Sequence, residues 1–79
     1  MTTKLDIVEH KIEEIVGELT KSIIDRRLEE FGATRETVTD AQLVKIIDDI
    51  EAKVLENFVG PELAISIANK LKDVVRGSD

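Results

Sequence analysis

Residues 4–31 read KLDIVEHKIEEIVGELTKSIIDRRLEEF, and the spacing of their apolar side chains decides the fold. At about 100° per residue of α-helix, Leu5, Val8, Ile12, Ile15, Val16, Leu19 and Ile23 fall on one side. Ile24, Leu28 and Phe31 fall on a side rotated by roughly a third of a turn. A straight helix with both stripes must bury them against two different neighbours. In a chain of 79 residues the simplest second neighbour is another copy of itself. The pattern therefore predicts an all-α, three-helix domain: a long N-terminal helix and two shorter antiparallel ones, assembled as a homodimeric helical bundle. A monomer with a bent first helix is the alternative.

Punctuation along the chain sets the helices at about 4–31, 39–58 and 61–76, with 77–79 as a frayed tail and 1–79 as one domain. Thr3 is the expected N-cap of the first helix, with Asp6 in the first turn where a carboxylate suits the positive end of the dipole. Gly32 is placed to stop it in the left-handed conformation. Gly17 lies inside, at a cost of about 1 kcal/mol relative to Ala. It is either a close contact with another helix or a flexible point. The short connection 33–37 has room for one turn, begun by Thr34.

The second helix has the clearest start. Thr39-Asp40-Ala41-Gln42 reads as a capping box, and Val38 with Leu43 has the spacing of a hydrophobic staple. Leu43, Ile47, Ile50, Val54 and Phe58 then form a stripe flanked by Val44, Ile46 and Leu55, with Asp49 and Lys53 paired on the wet face. Gly60-Pro61 ends this helix, and proline suits the first position of the next. Leu63, Ala64, Ile67, Ala68, Leu71, Val74 and Val75 are expected to line the buried side of the third helix.

So short a helical domain buries a thin core and is marginal without a staple. The chain has no cysteine, which excludes disulfides and thiolate metal sites and leaves oligomerisation. The net charge of −6 repels nucleic acid and anionic membranes at long range. Two phenylalanines, the only aromatics, offer little for stacking on bases. No apolar run approaches the ~18 residues of a membrane span. The opening Met1-Thr2-Thr3-Lys4 lacks the uninterrupted apolar segment of a secretory signal, so the cytoplasm is the expected location. High charge, abundant Ile and Val and scarce Asn, Gln and Met match the composition of heat-adapted proteins.

Few constellations point to chemistry. Asp6, His10, Glu13 and Glu14 share a helix face at metal-ligand spacing, but no second helix offers a matching His. A solvated acidic face is the plainer reading, as it is for Asp48, Asp49 and Glu51. Arg26, at the change of stripe, reads as an interface-rim arginine covering apolar surface with its stem. No phosphate loop and no nucleophile elbow occurs, so neither catalysis nor a cofactor is expected.

The expected function is a non-catalytic, acidic protein-interaction module: a homodimerising adaptor or regulatory subunit. Its self-association seam would be Leu5, Val8, Ile12, Ile15, Val16, Leu19 and Ile23. The alternative is a helix-turn-helix regulator reading DNA with Ser66, Asn69, Lys70, Lys72 and Arg76 of the third helix, against the repulsion of nearby Glu62 and Asp73.

Overall fold

Thr3 opens the first helix, α1 (Lys4–Val16), as a full capping box. Its hydroxyl accepts from the Asp6 amide and the Asp6 carboxylate accepts from the Thr3 amide, both at 3.1 Å. The computed structural model describes residues 3–77, so Ser78 and Asp79 of the expected tail lie outside the described residues. These residues form three helical runs, of which the first is the longest, and no strand occurs among them.

The first run is not straight. At Gly17 the backbone takes φ 82° and ψ −145°, a region in practice reserved for glycine. One 3₁₀ turn, Gly17–Leu19, leads into α2 (Thr20–Glu30). Arg35 measures how far the chain has turned. Its guanidinium lies 2.6 Å from a Glu9 carboxylate oxygen and 3.0 Å from one of Asp25. A straight helix would hold those two residues about 24 Å apart along its axis. α1 and α2 therefore pack against each other, and the two stripes that a straight rod would show to two neighbours converge on one core. Nothing stands within 4 Å of where a Gly17 Cβ would be, so this glycine serves the turn and not a close approach.

α2 ends in a Schellman motif. The Ala33 amide donates to the Leu28 carbonyl and the left-handed Gly32 donates to Glu29. Thr34 and Thr37 then close a single turn by accepting each other's backbone amides on their hydroxyls. The capping box at Thr39 and Gln42 forms as its spacing requires and starts α3 (Asp40–Ile50).

After Ile50 the helix widens into a π-turn, Glu51–Leu55, before regaining α geometry in α4 (Glu56–Val59). The extra residue in that turn rotates everything beyond it. The expected stripe keeps Val54, half-buried against the core, and then runs through fully buried Leu55 and half-buried Val59 instead of Phe58. Phe58 is left 54% exposed. Gly60, at φ 86°, and Pro61 then turn the chain into α5 (Pro61–Arg76), closed by left-handed Gly77.

Asp48 of α3 and Lys72 of α5, equidistant in sequence from Gly60, form an ion pair, as an antiparallel return requires. α5 buries Ala64, Ala68, Leu71 and Val75, and the two alanine methyls let it sit close to both α1 and α3. Leu63, expected inside, is 52% exposed. Ile12, Ile24, Ile46, Ile47, Ile50 and Leu55 form the dry centre of the core. Each such side chain contributes about 1.5–3 kcal/mol relative to leaving it in water.

Candidate functional site

The residues expected to form a self-association seam separate into three groups. Leu5, Val8 and Ile12 are buried in their own chain, so the folded monomer leaves them no surface for a partner. The turn at Gly17 folds these three inward in the closed monomer, where a straight helix would present them along one face. Ile15, Val16 and Ile23 are half-buried and pack on the edge of the core. Leu19, at the corner itself, is 62% exposed.

The DNA-facing set does not come together either. Ser66, Asn69, Lys70 and Arg76 are exposed, but so are Glu62 and Asp73 on the same helix. Lys72 is turned toward α3 and held by Asp48, with its side chain only 17% exposed.

Charges read as a solvated face prove to be cross-links. Asp49 accepts from Lys53 Nζ and from Arg27 Nε, each at 3.0 Å, and so ties α2 to α3. The Lys53 ammonium, helped by Arg27, holds the Asp49 carboxyl below the usual carboxylate range, although partial burial acts the other way. Arg27 also donates to the Ile23 carbonyl at 3.3 Å, making it the engaged arginine at the change of stripe; Arg26 is exposed. The hydrogen bonds that Arg35 donates to Glu9, then to Asp25, strengthen its hold on its proton. At the first cap, the Thr3 backbone amide and hydroxyl lower the Asp6 carboxyl. His10 Nε2 lies 3.6 Å from Glu14 in the open, and no group of three metal-ligating side chains occurs among the described residues.

Sequence reasoning missed the surface around the second corner. Val59, Gly60, Pro61, Glu62, Leu63 and Ser66 line an open-sided hollow of about 530 Å³. Phe58, exposed by the π-turn, directly precedes that lining in sequence. Glu62 of the lining is exposed and has no ion-pair partner among the described residues. No family model, curated protein or solved structure matches the chain. The signal for this site was present only as a mismatch: Phe58 follows the stripe of a regular helix, and nothing local announces that the helix will widen. No described helix is long and apolar enough to cross a membrane.

Proposed function

We propose that the chain is a non-catalytic interaction module that receives a basic amphipathic helix of a partner protein at its second corner. One observation carries this reading. Leu63 stands half in water in the lining of an open hollow whose own charge is the acid Glu62, and half-exposed Phe58 precedes that lining in sequence. Exposed aromatic and aliphatic groups next to uncompensated carboxylates favour a ligand with an apolar stripe and lysines or arginines beside it. The chain's net charge of −6 speeds the encounter with such a partner. Elsewhere many charged groups are already engaged with one another, as in the Arg35, Asp49 and Lys72 pairs.

The test is a titration of isotope-labelled protein with a synthetic leucine–lysine amphipathic helix, read by amide chemical shifts. The expected shifts centre on Val59, Gly60, Leu63 and Ser66. Leu63→Asp should weaken binding at least about tenfold, the loss of one well-buried anchor. Shifts that are absent, or spread over the acidic surface without regard to Leu63, would refute the site. Duplex DNA is the comparison titrant. A salt-dependent response at Ser66, Asn69 and Lys70 would transfer the function to the outer face of α5.

A further inference from the structure

Within residues 16–20 the corner at Gly17 is held by few interactions. It consists of a positive φ, one 3₁₀ turn and the Thr20 hydroxyl, which is fully buried and donates to the Gly17 carbonyl at 2.7 Å. No neighbour packs where a Gly17 side chain would be. The stretch Val16-Gly17-Glu18-Leu19-Thr20 contains no proline, so every residue in it can enter an α-helix. On either side of the corner the chain is already helical.

From this we infer that α1 is an exchangeable arm whose second home is another copy of this chain. With Gly17 helical, residues 4–30 become one rod of about 40 Å. α1 then leaves its own α2 and α5, with its Lys4–Asp40 tie to α3, and docks on those of the partner copy. The contacts that hold α1 in the monomer, with α2, α5, Arg35 and Asp40, re-form between chains. They are the burial of Leu5, Val8 and Ile12, the Lys4–Asp40 pair at 3.0 Å and the Glu9–Arg35 pair at 2.6 Å. What is lost is the corner. What is gained is helical continuity, together with a partner for Leu19, which the closed form leaves 62% exposed. Exchange of an identical element in this way is a low-cost route to a two-fold dimer. The inference makes no use of the surface at Phe58 and Leu63.

Gly17→Ala tests it. Alanine is strained at φ 82° but favours the straight helix, and a dimer contains two such positions. Its dimer Kd should fall by at least about twentyfold relative to the unaltered chain, read by sedimentation equilibrium. The geometry is read by refolding labelled with unlabelled chains and forming a zero-length amide link between Lys4 and Asp40, located by mass spectrometry. Exchange predicts that link between labelled and unlabelled chains in the dimer fraction. A folded, monomeric Gly17→Ala protein overturns the inference, and so does a dimer whose Lys4–Asp40 link stays within one chain. If Gly17→Ala does not fold, Thr20→Val decides on the same two readouts, since it loosens the corner without straining it. A raised dimer fraction with interchain links supports exchange, and an unchanged dimer fraction overturns it.

Discussion

Two glycines turn this chain, and they do so in nearly the same way. Gly17 has φ 82° and Gly60 has φ 86°, neither has a neighbour where a Cβ would stand, and each joins two helical segments that run back on one another. They differ in the residue that comes next. Pro61 cannot extend α4, because it lacks an amide proton and its ring would strike the carbonyl of residue 57. Glu18 imposes no such bar. The second corner is therefore a fixed joint, and the first is a joint that an ordinary helix could replace. Two corners of similar shape can thus differ in permanence because of one neighbouring residue.

The comparison is first put at risk in the core that both corners serve. Ile12 lies before the first corner and Leu55 before the second, both fully buried. Ile12→Ala and Leu55→Ala should each cost about 2–5 kcal/mol in urea unfolding. A cost below about 1 kcal/mol for Ile12→Ala would mean that α1 is not an integral part of the monomer core.

Gly60→Ala should cost about 1–3 kcal/mol, the strain of a positive φ that an L residue rarely adopts. The variant should stay monomeric, because Pro61 closes the escape into a continuous helix. A Gly60→Ala dimer would erase the distinction between the corners.

The smallest effect is electrostatic and concerns the tie between α2 and α3. Asp49 and Asp6 both have folded-state carboxyls below the ordinary value. The folded chain therefore binds fewer protons than the unfolded chain at acidic pH. Their stabilisation is complete above the unfolded carboxyl value of about 3.9 and is lost as pH falls through the depressed folded values. Asp49→Asn should lower stability at neutral pH by less than about 1 kcal/mol, since the pair is partly solvated. It should also flatten the acid limb of a plot of urea midpoint against pH. An acid limb of unchanged slope would show that the tie at Asp49 carries none of the acid sensitivity.

Local signals were read where the chemistry is local. The Thr3 cap, the Thr39 capping box, the left-handed Gly32 and the break at Gly60-Pro61 each rest on residues within a turn of one another, and each forms as its spacing dictates. The antiparallel return of α5 is a consequence of the last of them. The candidate site was hidden for the opposite reason. Phe58 and Leu63 have the spacing of core residues, and only the π-turn and the packing of α5 on α1 and α3 turn them outward. The arginine cross-links escaped notice in the same way, because Glu9, Asp25 and Arg35 meet across helices and not along one.

The amino-acid sequence alone determined that this protein is helical, where most of its helices begin and end, and that it presents an acidic surface. Those properties depend on caps, breakers and periodicity, which act over a few residues. Tertiary structure alone decided which way the first helical run goes after Gly17 and which face of α4 meets water. Glycine permits a straight helix and a sharp corner at comparable local cost. The choice falls to whichever arrangement buries Leu5, Val8 and Ile12, and that burial is supplied by residues far along the chain.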